Sequence, residues 1–194
     1  MTERPILFSA PMVRAILNGR KTQTRRVIKP QPEIAYVERN GGWLEKKTST
    51  SGNVFLSTSG GEGKTEHGWL KCPYGQAGDR LWVRETFSVC EMDDGSQYAY
   101  RATGDKIGCL KWKPSIFMPR LARRITLEVT SVRVERLQDI SDADALAEGV
   151  DQTNTSIGGY ATERCKQLWK SINGPESWSA NPWVWVIEFK RVQP

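Results

Sequence analysis

The sequence predicts an α + β fold in which a small barrel of mixed strands is flanked by short helices. Three features of the 194 residues support this prediction. Segments that alternate apolar and polar residues predict strands, the best of them at 80–89, 123–137 and 183–189. Apolar residues at helical spacing predict short helices before residue 18 and at 160–172. The alternation in 123–137 changes phase at Thr130 and Ser131, which indicates the bulge or bend that a barrel corner needs.

The composition favours one globular domain with an anionic partner. At 194 residues and 38 % hydrophobic content, the chain is long enough to bury a core. Lys and Arg number 28 against 22 Asp and Glu, and the net charge of +6 indicates either a nucleotide or nucleic acid as partner or surplus charge on a solvated face. No apolar segment is long enough to cross a bilayer, and the N-terminus does not resemble a secretory signal. We therefore expect a cytoplasmic protein without a membrane partner, and we favour a monomer.

Cysteine and histidine usage argues against a metal site and against thiol catalysis. The four cysteines lie far apart without C-x-x-C spacing, and His67 is the single histidine. A zinc site needs several cysteine or histidine ligands at close spacing. A catalytic cysteine–histidine pair would have to use His67, which lies in a predicted loop rich in Gly, Ser, Thr and Lys. We expect reduced thiols, no metal and no other cofactor.

The N-terminal residues predict a strand, a helix and a second strand, at 5–8, 9–18 and 24–28. Ser9 followed by Pro11 is typical of a helix start. Gly19 lies where a helix C-terminus takes a residue with positive φ. The second strand is stopped by the Lys-Pro-Gln-Pro sequence that follows it.

Weaker patterns at 31–77 and 90–120 are interpreted as two insertions in a single domain that spans residues 1–194. Residues 60–65, GGEGKT, are not interpreted as a phosphate-binding loop, because the G-x-x-x-x-G-K-[ST] spacing, the preceding strand and the following helix are missing. Beyond the insertions, Ser141 begins a short helix with early acidic residues, and Gly149 ends it.

The segment at 18–26, NGRKTQTRR, contains four cations and two threonines directly after the first helix. Lys21 and Thr24 are three residues apart there, and a desolvated lysine among arginines has a lowered pKa. A neutral Lys21 amine could remove the Thr24 hydroxyl proton and make that oxygen a nucleophile. The alternative is a solvated basic loop whose threonine hydroxyls bond to the main chain.

Two carboxylates stand out by their positions. Glu148 lies in the last turn of its helix, where the helix dipole disfavours a carboxylate by about 0.3–1 kcal/mol and raises its pKa. Glu148 is therefore a candidate proton donor, and the alternative is a solvated side chain. Glu85 shares a strand face with Leu81 and Val83, so a buried Glu85 needs a cationic partner. We expect Glu85 to form a salt bridge with an arginine of segment 18–26.

Four motifs, in this order, resemble the ASCH domain family. Residues 19–26, GRKTQTRR, resemble its signature G-x-K-T-x-T-x-R, and residues 78–83, GDRLWV, resemble its G-D-x-L-x-V strand. Residues 139–149 resemble its short helix ending in Glu-Gly, and residues 185–189 resemble its closing strand. Residues 72–75, CPYG, are similar to the long versions that bacteriophages and prophages carry. The resemblance implies a PUA-like small β-barrel associated with RNA.

The resemblance also implies an activity and a set of site residues. ASCH enzymes that deacetylate N4-acetylcytidine use a lysine as proton acceptor, a threonine as nucleophile and a glutamate as proton donor. These roles would fall on Lys21, Thr24 and Glu148, in a hydrolase of an acylated pyrimidine nucleoside. The residues expected to bind substrate or RNA are Arg20, Arg25, Arg26, Glu85, Arg123 and Arg124.

Three other roles stay open at this point: RNA binding without catalysis, RNA cleavage, and a purely structural role in a phage. In an RNA-binding module without catalysis, phosphates would be contacted by Arg20, Lys21, Arg25, Arg26, Arg120, Arg123 and Arg124. In a ribonuclease, Lys21 and Glu148 would act on a 2′-hydroxyl and its phosphate. The compact amidohydrolases lack the insertions at 31–77 and 90–120. These insertions could narrow the pocket, add an RNA-binding surface or change the substrate.

Overall fold

The computed structural model describes residues 1–29, 31, 53–60, 64–92, 95–105, 111–150 and 160–192. The strands of this part of the chain are β1 (Glu3–Leu7), β2 (Gln23–Val27), β3 (Asn53–Gly60), β4 (Lys64–Lys71), β5 (Arg80–Arg84), β6 (Phe87–Met92), β7 (Gly95–Tyr100), β8 (Thr126–Arg136) and β9 (Trp183–Val192). Its α-helices are α1 (Ala10–Leu17), α2 (Asp142–Ala147) and α3 (Tyr160–Asn173). The predicted α + β class is confirmed.

A five-stranded mixed sheet in the order β1–β5–β8–β9–β2 forms the centre of the molecule. The β1–β5 pair is parallel, and the other three pairs are antiparallel. The sheet is open rather than closed as a barrel, since β1 and β2 are its two edges. A side chain bridges these edges in place of a main-chain ladder, because Arg26 Nη2 donates to Leu7 O (2.8 Å).

Two apolar clusters cover the two faces of this sheet. On one face, Val13 and Ile16 of α1 pack with Ile187 and other buried residues of the strands. On the other face, Trp169 of α3 packs with Val186 and its neighbours. Both faces of β9 are therefore buried, which explains why its outward positions are apolar as well.

The structure corrects the single strand expected at 80–89. The chain leaves the central sheet after β5, and β6 pairs with β7 in a separate two-stranded sheet. The break is at Glu85, whose N–H donates to Met118 Sδ (3.2 Å) instead of to a neighbouring strand. The phase change expected in β8 is confirmed as a register shift between Val129 and Ser131.

The two segments interpreted as insertions contribute local structure. Strands β3 and β4 form a hairpin within 31–77, and 3₁₀ turns occupy Ser115–Phe117 and Arg120–Ala122. Residues 32–52, 61–63, 93–94 and 106–110 of these segments lie outside the described residues. Cys72 and Cys165 are free and buried, whereas Cys90 is disulfide-bonded, which corrects the expectation of reduced thiols at that position.

Candidate active site

The main chain around Lys21 is fixed from two directions. Gly19 has φ +71°, which turns the chain at the end of α1, and Lys21 N–H donates to Ala15 O (3.0 Å). On the other side, Lys21 forms an isolated antiparallel bridge with Glu148, and Thr22 N–H donates to Ala147 O (2.9 Å). The segment that carries Lys21 is therefore held against the C-terminal end of α2.

The Lys21 side chain is completely buried, with 0 % of it exposed. Its Nζ donates to Gln23 O (2.7 Å), to Glu148 O (2.8 Å) and to Glu148 Oε2 (2.8 Å), so each of the three ammonium protons has an acceptor. Burial lowers the pKa of Lys21, the negative charge and hydrogen bond of Glu148 oppose this, and the cation Arg26 lowers it further. The site therefore favours loss of a proton from Lys21 more than water does.

Two cations hold the Glu148 carboxylate. Glu148 is the C-cap residue of α2, a helix that starts with the predicted Ser141 cap, whose side chain accepts from Asp144 N–H. One carboxylate oxygen accepts from Lys21, and the other accepts from Arg25 Nη1 (3.3 Å). The side chain is 10 % exposed, and the sequence prediction that Glu148 lies at this helix end is confirmed.

Thr24 lies in β2 opposite Ile187 of β9 and is 1 % exposed. It lines a pocket of about 610 Å³ that also contacts Glu148. Lys21 Nζ binds the carbonyl of Gln23, which is the carbonyl of the peptide bond to Thr24. Lys21 and Glu148 are therefore in direct contact, and Thr24 lines a pocket that Glu148 also lines.

The pocket opens between the two edge strands of the central sheet. Its walls come from β1, β2, α3 and the turn at Ser115. Leu168 and Ile172 of α3 line it and remain 38 % and 56 % exposed, so part of the apolar stripe predicted for this helix faces the pocket rather than the core. Most of the lining is apolar, and the charged groups Arg25, Arg26, Arg84 and Glu148 interrupt it.

Arg25 and Arg26 reach the pocket in different ways. Arg25 is 3 % exposed, and its guanidinium faces carboxylates of Glu135 (3.2 Å) and Asp144 (3.5 Å) in addition to Glu148. Arg26 bonds to main-chain oxygens and lies 5.3 Å from the centroid of the Phe8 ring. Both residues are beside the expected trio, and Arg25 is engaged with protein carboxylates.

The other expected binding residues are not among those that line the pocket. Glu85 is 1 % exposed and forms a bidentate pair with Arg124, with both contacts at 2.9 Å. This corrects the expected partner of Glu85, which is an arginine of the chain preceding β8 and not one of segment 18–26. Arg123 lies 3.6 Å from Glu3, and Arg20 is an exposed residue after α1.

Sequence reasoning missed three residues of this site. Glu135 of β8 and Asp144 of α2 hold Arg25, and only Asp144 had drawn notice, as part of a helix start. Cys165 of α3 lines the pocket, and burial, followed by the charge of Glu148, raises its pKa to about 11. Its place in an apolar stripe gave no functional signal.

Within the described ranges, no group of three or more histidine, cysteine or acidic residues is placed to hold a metal ion. In the same ranges no helix is long and apolar enough to cross a membrane.

Comparison with known proteins gives two similar solved structures. One is a protein from Enterococcus faecalis V583 of the family DUF984, with 13 % identity over 99 % of this chain and 80 % of that one, and a TM-score of 0.43. The other is an ASCH domain from Lactobacillus crispatus JV V101, with 14 % identity over 98 % of this chain and 79 % of that one, and a TM-score of 0.43. No family model and no curated protein sequence matches the chain.

Proposed function

We propose that the protein is an amidohydrolase that removes the acyl group from an acylated pyrimidine nucleoside such as N4-acetylcytidine. Thr24 is the nucleophile, Lys21 accepts its proton, and Glu148 protonates the leaving amine. The observation that carries the proposal is the direct 2.8 Å hydrogen bond between the buried Lys21 amine and Glu148, beside a pocket that Thr24 lines. An amine and a carboxyl group so joined can exchange one proton without solvent.

The acylation step needs one proton to move from Lys21 to Glu148 first. Desolvation lowers the pKa of Lys21 and so favours the neutral amine that this transfer produces. The amine then takes the hydroxyl proton of Thr24 as Thr24 Oγ1 bonds to the amide carbonyl carbon. When the C–N bond breaks, Glu148 gives its proton to the exocyclic nitrogen. Cytidine leaves, Thr24 carries an ester, and the ammonium and carboxylate are restored.

Deacylation uses the same groups in the same order. One proton again passes from Lys21 to Glu148, and the amine takes a proton from the water that attacks the ester carbon. Glu148 returns its proton to Thr24 Oγ1 as the ester bond breaks. The products are the carboxylic acid and the free Thr24 hydroxyl, so the cycle consumes one water and no cofactor.

The pocket supports a small, partly apolar ligand. A volume of about 610 Å³ is within the range of roughly 300–1,000 Å³ that small-molecule sites occupy. Its mostly apolar walls suit the faces of a nucleobase, and its polar lining includes Thr24 and Glu148. The choice of N4-acetylcytidine rests on the resemblance of the 19–26 signature to that of the ASCH deacetylases.

The test is turnover of N4-acetylcytidine, with cytidine resolved by chromatography. We expect turnover by the wild type and losses of about 10²-fold or more in Lys21→Met, Thr24→Val and Glu148→Gln. Thr22→Val is the matched control, because Thr22 is exposed and does not line the pocket. No turnover by folded wild type, or equal losses in Thr22→Val and Thr24→Val, would contradict the proposal.

One observation favours RNA binding as the second candidate function. Residues 111–124 contain five cations and no carboxylate, and this segment exposes 65 % of Phe117 beside the pocket residue Ser115. Cations near an exposed aromatic ring suit single-stranded RNA. The argument against RNA binding is that several of the cations expected to contact phosphates are already paired with carboxylates. Lys21 and Arg25 are buried against carboxylates, and Arg124 is paired with Glu85. Glu3 contacts both Arg120 and Arg123.

Binding and cleavage of unmodified single-stranded RNA separate this candidate from the first. RNA binding predicts a steep loss of affinity with salt and a further loss in Phe117→Ala, without any turnover. Cleavage of that RNA, abolished by Lys21→Met, would indicate a ribonuclease instead.

A further inference from the structure

Arg25 is the second cation on the Glu148 carboxylate. Its side chain is 2 % exposed, and Nη1 lies 3.3 Å from Glu148 Oε1 while Lys21 Nζ lies 2.8 Å from Oε2. The two oxygens of one carboxylate are therefore divided between two buried cations. This arrangement fixes the rotation of the carboxyl group and directs Oε2 at Lys21.

Arg25 is itself held in place by two further carboxylates. Its Nη2 lies 3.2 Å from Glu135 Oε2 and 3.5 Å from Asp144 Oδ2. Glu135 belongs to β8, Asp144 lies in the first turn of α2, and Glu148 is its C-cap. Arg25 belongs to β2. The guanidinium thus ties α2 to the sheet at the point where Glu148 meets Lys21.

Charged and titratable groups of β2, β8, α2 and α3 lie around the Lys21–Glu148 pair, directly or through Arg25, and Glu188 of β9 lies opposite Gln23 and contacts Arg133. Arg25 and Arg26 come from β2, Glu135 from β8, Asp144 from α2, and Cys165 from α3. Of these groups, Arg25 touches the pair directly, because it donates to Glu148. A permanent cation at that distance favours the ionised carboxylate and disfavours every added proton on the pair.

We infer that Arg25 is a positioning residue, which orients Glu148 towards Lys21 and biases the proton that the two share towards Lys21. The inference deepens the proposed amidohydrolase function and rests on it only for its kinetic readout. Although Arg25 lines the pocket, on this account it acts through Glu148 and not on the substrate. It sets the pH range over which the pair holds a single exchangeable proton.

The first measurement is the pH dependence of kcat/KM in the wild type and four variants. The pair is active with one shared proton, so the profile is bell-shaped. In Arg25→Met the loss of a cation makes protonation of the Lys21–Glu148 pair easier. We therefore expect both limbs of the profile to shift to higher pH by about one unit or more. Arg25→Lys keeps the charge and should move them much less. Glu135→Gln removes a negative charge and frees Arg25 for Glu148, so both limbs should move down.

Arg133→Met is the control for damage to the network. Arg133 contacts Glu135, Asp144 and Glu188, but Glu148 is not among its contacts in the described part of the chain. It acts on the pair only through Glu135 and Asp144, so it should move the two limbs much less than Arg25→Met does, whatever it does to the maximum rate. If Arg25 were only structural, Arg25→Met would lower the rate without a shift of either limb, and that result would overturn the inference.

The second measurement is the titration of Lys21 by NMR on protein with labelled lysine, with the signal assigned by its loss in Lys21→Met. Arg25→Met should raise the midpoint and Glu135→Gln should lower it. An unchanged midpoint in both folded variants would overturn the inference. If the wild type does not turn over N4-acetylcytidine, the proposed function fails while this titration still decides the role of Arg25.

Discussion

Gly149 lies directly against Lys21, close enough that a Cβ on Gly149 would be 2.8 Å from Lys21 Cβ and 2.9 Å from Ala15 Cβ. Gly149 also has φ +86°, a conformation that side chains rarely adopt. This contact lets the end of α2 approach the connection between α1 and β2. The Lys21–Glu148 hydrogen bonds depend on that approach.

Gly149→Ala should therefore destabilise the protein and impair the site. Positive φ costs an alanine about 1–2 kcal/mol, and overpacking against Lys21 and Ala15 adds about 1–3 kcal/mol. Gly78→Ala is the control, because Gly78 has φ +88° but no atoms within 4 Å of an added Cβ. Urea unfolding should show a larger loss for Gly149→Ala than for Gly78→Ala by at least about 1 kcal/mol. Equal losses would show that the contact with Lys21 costs nothing.

The lowered pKa of Lys21 predicts a pH dependence of stability. Unfolding returns Lys21 to its ordinary pKa of 10.5, so between the lowered value and 10.5 the unfolded chain binds more protons than the folded one. The contribution of Lys21 to the free energy of unfolding should therefore rise with pH through that window. We expect the stability of the wild type relative to Lys21→Met, from urea unfolding, to increase as the pH is raised towards 10. A constant difference would contradict a lowered Lys21 pKa.

The local elements of the site could be predicted from the sequence, because each has a short-range cause. Gly19 after an apolar helical stripe, and Ser141 with Asp144 three residues later, both have the geometry that their residue types favour. Lys21 and Thr24 were singled out by their spacing in a basic segment. Glu148 was singled out by its unfavourable place at a helix end.

The partners in space could not be predicted in the same way. Arg25 looked like a residue for an anionic ligand, and it is instead enclosed by Glu135, Asp144 and Glu148, which are 110 to 123 residues away along the chain. Glu85 was expected to pair with segment 18–26, but the break after β5 places it beside Arg124. Such pairings depend on how strands are ordered in the sheet, which the alternation of residues along a strand does not specify.

The Glu85–Arg124 pair predicts an asymmetric response to mutation. Glu85 is 1 % exposed, whereas the Arg124 side chain is 25 % exposed and lies 4.0 Å from the Tyr100 ring centroid. Arg124→Met leaves a buried carboxylate without its cation and should cost about 3–5 kcal/mol. Glu85→Gln leaves a cation that water and the ring can stabilise, and should cost about 1–2 kcal/mol. Thermal or urea unfolding of both variants measures the difference, and a greater cost for Glu85→Gln would contradict the asymmetry.

Cys165 offers a direct test of where a ligand binds. Cys165 lines the pocket and is 6 % exposed, while Cys72 is 5 % exposed and does not line it. Burial raises the pKa of both thiols to about 11, so both should react slowly and at similar rates with a small methanethiosulfonate reagent near pH 8. Saturating cytidine, the product of the proposed reaction, should slow modification of Cys165 several-fold and leave Cys72 unchanged, as mass spectrometry of the two peptides would show.

The comparison of the two thiols separates occupancy of the pocket from a general gain in stability. A ligand that binds the folded protein elsewhere reduces global opening and slows both thiols by the same factor. Equal protection of Cys72 and Cys165 would therefore place the ligand outside the pocket. No protection of either thiol at a cytidine concentration that binds would contradict a nucleoside site beside Thr24 and Glu148. The expected result is protection of Cys165 alone, and this protection should be lost in Leu168→Trp, a variant that fills the pocket. That result places the nucleoside between β2 and α3, because those two elements carry Thr24 and Cys165.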